Sequence, residues 1–286
     1  MKILITGGTG FIGSNIVDRL ILEKHEVYLI SKNYNNVKEE TTTFNPDVII
    51  HCGWYGGNTY QAINDPNQLS KNIETSIQLI EALKEIPKKT KFIGFGSFAE
   101  YGSKNFVVDE NECENPTDLY GLSKYTFKKY SEIICKQNNI DWVWVRPCYV
   151  YGPGDVSTRL IPTLISKFVN NQDIVLDECN KTLDYIYIDD FVEMFYNLLI
   201  SSSIGTYNIC SGKQYDLRKI IYEIYSLTNS KSKIKFDPNL NRNSSPYICG
   251  SNQKIISAIN HSPKINLETG LNKTIKHYAA SNNTKG

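Results

Sequence analysis

The stretch Thr6-Gly7-Gly8-Thr9-Gly10-Phe11-Ile12-Gly13 constrains this chain more than any other. Its glycines stand at Gly7-x-x-Gly10-x-x-Gly13. The apolar run Ile3-Leu4-Ile5 precedes them, and a segment with helical spacing (Phe11, Ile12, Ile16, Val17, Leu20) follows. A buried strand that turns sharply into a helix while its backbone approaches a ligand needs glycine, because a side chain would fill the turn. The first amides of the helix, with its dipole, then favour a pyrophosphate. Gly13 lets the helix pack closely on the strand. Three glycines alone say little; the strand before and the helix after them are the context of a dinucleotide site.

The rest of the first half alternates in the same way. Strands are predicted at 26–30, 47–51, 91–96 and 141–146, the last stopped by Pro147, and helices at 67–83 and 116–137. Strands alternating with helices imply an α/β fold, a Rossmann-like doubly wound parallel sheet covered on both faces. Only Ser31 to Pro46 separate the second strand from the third, too few for a full helix and another strand, so a shortened crossover or a loop is expected there. After Tyr151 the pattern changes. Helices are expected at 160–169, 189–199 and 216–227, with strands at 185–188 and 206–210. A smaller C-terminal substrate-binding subdomain follows from this: residues 1–157 with about 183–211 form the dinucleotide-binding domain, 158–182 with 212–280 the substrate part, and 281–286 a flexible tail.

Composition removes several alternatives. A formal net charge of +1 gives no electrostatic case for nucleic acid or a membrane surface. Seven scattered cysteines without a CxxC pair argue for free thiols in a reducing compartment, and the four histidines lack metal-ligand spacing. No run approaches the ~20 apolar residues of a membrane span, and the start does not read as a signal peptide, so a cytoplasmic protein without a metal is expected.

Tyr120-Gly-Leu-Ser-Lys124 falls on a predicted helix, where four residues place both side chains on one face. A phenol titrates near 10, too high for easy proton exchange at neutral pH, and a nearby ammonium would favour the phenolate. Ser97, after the strand at 91–96, is placed to hydrogen-bond a reacting oxygen at the strand ends. The second strand ends Leu29-Ile30-Ser31-Lys32-Asn33 without the carboxylate that would accept from an NAD ribose. Ser31 and Lys32 can meet a 2′-phosphate instead, which favours NADP, with NAD as the alternative.

These pieces, with Gly96-Ser97-Phe-Ala-Glu-Tyr101-Gly102, Arg146-Pro147, Val150-Tyr-Gly-Pro-Gly154 and Asp184-Tyr-Ile-Tyr-Ile-Asp-Asp190, stand in one order over residues 1 to about 210. In this the chain resembles the extended short-chain dehydrogenase/reductase family of nucleotide-sugar epimerases, dehydratases and reductases. The resemblance implies a catalytic triad of Ser97, Tyr120 and Lys124 and a nucleotide-diphospho-sugar in the cleft between the subdomains. It also implies cofactor contacts from Thr9, Phe11 and Ile12 in the turn, and from Cys52, Gly53, Asn72, Tyr120, Lys124, Pro147 and Val150, with the Lys124 ammonium on the nicotinamide ribose. A homodimer is implied too, joined through the two long helices.

The departures narrow the chemistry. The family's 4,6-dehydratases carry Asp-Glu after the Ser/Thr, where this chain has Phe98 and Ala99. Members that epimerise at C3 and C5 carry Cys at the position of Ala99. What remains is reduction of a C4 keto group, with 4-epimerisation as the alternative and a non-catalytic NADP-sensing protein as a second. Cys52-Gly53-Trp54-Tyr55 and Ala99-Glu100-Tyr101 are similar to 4-ketoreductases of deoxysugar nucleotides. Trp54 and Tyr55 are substrate contacts or packing beneath the cofactor loop. Phe98 is a further substrate candidate. Arg159 is a partner of the diphosphate or a surface arginine. Tyr149 stands where the family commonly has Asn, and Leu183 where it usually has Arg.

Overall fold

The computed structural model describes residues 1–30, 36–56, 62–240 and 247–283. Its centre is a six-stranded sheet in which every neighbouring pair is parallel. The strands are β1 (Lys2–Thr6), β2 (Glu26–Leu29), β3 (Val48–His51), β4 (Lys91–Phe95), β5 (Asp141–Pro147) and a late addition at Gly205–Ile209, which lies beside β5 at one edge. The spatial order is Gly205–Ile209, β5, β4, β3, β1, β2. Helices are α1 (Phe11–Leu22), α2 (Val37–Phe44), α3 (Asn67–Leu83), α4 (Leu119–Gln137), α5 (Leu160–Val169), α6 (Ile188–Ile200), α7 (Leu217–Leu227), α8 (Gln253–Ile259) and α9 (Leu267–Asn283).

The strands are apolar without alternation because both faces are covered. Successive side chains still go to opposite sides. Ile3, Ile5 and Ile50 join one core with Phe191 and Phe195 of α6, while Leu4, Ile49 and Phe92 join another with Leu79 and Leu83 of α3 and Phe127 of α4. The sheet is therefore sandwiched, as the alternating pattern implied.

α2 spans eight residues and is the shortened crossover expected between the second and third strands. α4 begins at Leu119 rather than at Pro116. The Asp118 carboxylate accepts from the Gly121 amide at 2.7 Å and sets the start, so Pro116 and Thr117 precede the helix. Beyond β5 come short strands in small sheets. Tyr149–Tyr151 pairs with Tyr185–Tyr187, Ile174–Leu176 with Ile234–Phe236, and Thr182–Leu183 lies between Tyr215–Asp216 and Tyr247–Ile248. The cysteines at the described positions are free thiols. Among the described residues no helix is long and apolar enough to cross a membrane, and no cluster of His, Cys, Asp or Glu could hold a metal ion.

Candidate active site

The candidate residues gather where β1, β3, β4 and β5 end, the edge at which open parallel sheets take ligands. The Gly-rich turn forms the floor. Gly7 has φ +70°, and a Cβ there would stand 2.5 Å from the Gly53 amide nitrogen; one at Gly13 would stand 2.1 Å from the Gly7 carbonyl oxygen. A Cβ at Gly10 would meet only the Gly7 oxygen, at 3.4 Å. The turn is thus closed on its inner side and open at Gly10. Gly10 also caps α1, with no side-chain cap bond and no acidic residue in the first turn, so the amides at Phe11 and Ile12 are left for an incoming group. The cradle fits a diphosphate. Ser31 and Lys32, expected at the 2′-position of the ribose, lie outside the described residues.

The loop after β3 is fixed by a relay that sequence reading did not foresee. The Ser76 hydroxyl donates to the Asn72 carbonyl at 2.6 Å, so it accepts from His51 Nε2–H at 2.8 Å. His51 Nδ1 is then left to accept from the Thr6 hydroxyl at 2.7 Å, and the Thr6 oxygen accepts from the Gly53 amide at 3.1 Å. Burial, helped by the Lys124 charge, pulls the His51 pKa down to about 3, so the ring stays neutral. Asn72 brackets Tyr55: its Oδ1 accepts from the Tyr55 amide at 2.6 Å and its Nδ2 donates to the Tyr55 carbonyl at 3.2 Å. Asn72 therefore reaches the cofactor region through the loop that holds Cys52 and Gly53.

Ser97 caps a 3-10 turn over Phe98–Tyr101. Its hydroxyl accepts from the Ala99 amide at 3.2 Å, and its own amide donates to Glu100 Oε1 at 2.9 Å. This reciprocal cap was readable as Ser97-x-x-Glu100. Gly121 lets α4 come against the turn, since a Cβ there would stand 2.5 Å from the Ala99 oxygen. That approach brings the Tyr120 phenol close enough to Ser97 for the serine to bear on its titration. One turn along α4, Lys124 is buried at 3 % exposure. Its Nζ donates to the Phe95 carbonyl at 2.7 Å, 5.9 Å from the centre of the Tyr120 ring.

The protonation pattern differs from the sequence expectation. Burial holds the Tyr120 phenol above its ordinary pKa, although Ser97 and the Arg159 charge pull it down. Burial also lowers Lys124 to about 7, opposed by Glu100. For Tyr120 desolvation outweighs the opposing positive charge, which comes from Arg159.

The structure also places the substrate candidates. Trp54 turns its indole face onto Lys124 and lies near Phe127. Tyr55 lies at the surface and donates its hydroxyl to Asp65 at 3.1 Å. The ring of Phe98 is buried against Tyr101, Val108 and Cys210. Tyr149 is 37 % exposed, backed by Tyr185 at 5.2 Å between ring centres. Arg159, bonded to Asp155 at 3.3 Å and to the Val150 carbonyl at 3.4 Å, lies close enough to act electrostatically on both Tyr120 and Tyr149. Pro147 and Val150 continue the wall from β5, and Val150 is buried.

Beneath Ser97 lies a second feature absent from the sequence reading. Glu100 and Arg146 are both 0 % exposed and pair at 2.8 Å. Glu100 also accepts from the Trp144 indole at 3.0 Å, and Arg146 lies over the Tyr101 ring and reaches Glu114 at 2.7 Å.

Comparison with known proteins agrees with this fold. CDP-abequose synthase of Salmonella muenchen is 25% identical, over 96% of this chain and 97% of its own. The dTDP-4-dehydro-6-deoxyglucose reductase of Escherichia coli is 25% identical, over 96% of each. UDP-glucose 4-epimerase of Thermotoga maritima, solved with UDP-glucose, superposes with a TM-score of 0.90 at 20% identity, over 98% of this chain and 99% of that one, and so shares the fold. Residues 3–210 match the NAD dependent epimerase/dehydratase family, and the chain belongs to that family.

Proposed function

We propose that this protein reduces the C4 keto group of a nucleotide-diphospho-4-keto-deoxysugar with NADPH, with Tyr120 as the proton donor. The observation that carries the reading is what surrounds Ser97, Tyr120 and Lys124. Ala99 offers no acid or base and Phe98 is buried, so the site lacks the extra proton-transfer groups that loss of water from a sugar needs. A phenol held above its ordinary pKa is protonated at neutral pH, the state required to give a proton to a forming alkoxide. The reductase name of the Escherichia coli relative supports the same direction.

In this reading the Ser97 hydroxyl holds the keto oxygen beside the Tyr120 phenol, and Tyr120 releases its proton to that oxygen. Lys124 stands behind the phenol and Arg159 beside it, where positive charge steadies the phenolate left behind. The nicotinamide cofactor, when bound, supplies the hydride. Its diphosphate would take the Gly7, Thr9, Gly10 and Gly13 turn, and the loop at Cys52 and Gly53 would line its path. Residues 158–182 with 212–280 would receive the nucleotide-sugar, with Tyr149 and Arg159 facing it.

Fluorescence titration of the purified protein with NADPH and NADH tests the cofactor. NADPH is expected to bind at least about tenfold tighter, a preference of ~1.4 kcal/mol. Equal binding, or NAD that stays with the protein and does not exchange, would instead favour a nucleotide-sugar 4-epimerase, the reading that the Thermotoga maritima likeness supports.

We also propose a homodimer through α3 and α4. These helices pack side by side, and their outer face carries an apolar groove lined by Pro66, Leu69, Ile73, Ile77 and Thr126. Light scattering is expected to give the mass of two chains; a single-chain mass rejects this arrangement.

A further inference from the structure

We propose that Trp54 is a positioning residue for Lys124: its indole face holds the ammonium against the Phe95 carbonyl and thereby fixes where this amine stands beside Tyr120. Lys124 Nζ lies 3.7 Å from the centre of the Trp54 ring and 2.7 Å from the Phe95 oxygen. A buried ammonium is stabilised by the electron-rich face of an indole, most strongly where water is excluded. The ring cannot easily turn away. Its Nε1–H donates to Gln68 Oε1 at 3.2 Å, Gln68 Nε2 is anchored on the Ala62 carbonyl at 2.8 Å, and Asn72 Nδ2 donates to the same Gln68 oxygen at 3.1 Å. His51 and Phe127 pack against the indole, each 6.2 Å away between ring centres. Gln68 and Asn72, one turn apart on α3, thus set the indole and the backbone next to it together.

The titratable groups that face Lys124 are His51 from β3, Cys52 from the loop after it, Glu100 from the 3-10 turn and Tyr120 from its own helix. His51 is neutral, and Glu100 is engaged by Arg146 and Trp144. The Trp54 face therefore bears directly on whether the amine keeps its proton.

The test is a pH titration of the Lys124 side chain by NMR in the full chain with labelled lysine, the signal being assigned by its loss in Lys124→Met. Trp54→Leu should move the midpoint down by about one pH unit and Trp54→Phe by less, because the ammonium loses some or all of its aromatic partner. A midpoint unchanged or raised in folded Trp54→Leu overturns the proposal, since a ring that only filled space would let water in and ease protonation. If Trp54→Leu does not fold, Trp54→Phe decides alone: a lowered midpoint supports the role and an unmoved one rejects it. No substrate or cofactor enters the measurement, so its failure would leave the proposed reduction standing.

Discussion

Tyr120→Phe should lower turnover by about three orders of magnitude while nicotinamide binding changes far less. General acid catalysis by a positioned side chain is worth roughly 10²–10⁴ in rate, and a thousandfold loss corresponds to ~4 kcal/mol of barrier. The substitution removes one oxygen and keeps the ring, and the backbone around it is held independently. The Tyr120 amide donates to the Ile63 carbonyl at 2.9 Å, and Asp118 caps the helix. The measurement is the loss of nicotinamide absorbance with 4-keto nucleotide sugars, beside a binding titration of the same protein. A variant that keeps activity within about tenfold of the parent would remove Tyr120 from the role of proton donor. Weakened binding of NADPH alone would give it a cofactor contact in place of the chemistry.

The largest expected effect on stability lies beneath the site. Glu100→Ala leaves Arg146 charged and fully buried with only Glu114 as a carboxylate partner, a change that costs about 3–5 kcal/mol. For a chain of this size that lowers the melting temperature by on the order of 10 °C. It also removes the acceptor for the Ser97 amide, so the residual activity of folded protein should fall. Glu114→Ala should cost less, because Glu114 is partly exposed and Arg146 keeps Glu100. The double change Glu100→Ala with Arg146→Met should recover part of the loss, since no unpaired charge then remains. Calorimetry on the four proteins decides this. A Glu100→Ala protein that melts with the parent would mean that the pair does not hold the turn.

Much of the scaffold was legible because its signals are local. The helices at Phe11–Leu22, Asn67–Leu83 and Leu160–Val169 have the bounds that apolar spacing assigned, and the glycine turn sits between β1 and α1 as its spacing required. The start of α4 was misplaced because Pro116 resembled a first-turn proline, whereas Asp118 is the cap. A two-residue strand such as Thr182–Leu183 cannot display an alternating pattern and went unread, as did the seven-residue α8.

Within the site, Ser97, Tyr120 and Lys124 could be placed from order and spacing. The Glu100–Arg146 pair could not, because its partners are brought together only by the sheet, 46 positions apart in the chain. The direction of the Tyr120 pKa was missed for a similar reason. Four-residue spacing shows that an ammonium is near, but only the folded packing shows that desolvation prevails.

The run from Gly53 through Thr6, His51 and Ser76 to Asn72 has only one way to arrange its hydrogens. Each group gives its proton forward and receives one from behind, from a backbone amide at one end to a backbone carbonyl at the other. Such a chain has a polarity, and reversing any one link would set two donors or two acceptors face to face. With His51 unable to take a second proton near neutral pH, that polarity cannot be inverted by ordinary acidity. The glycine turn, the loop after β3 and α3 therefore behave as a single splint. The seat for a diphosphate and the helix face proposed to meet a second subunit are carried on the same rigid piece.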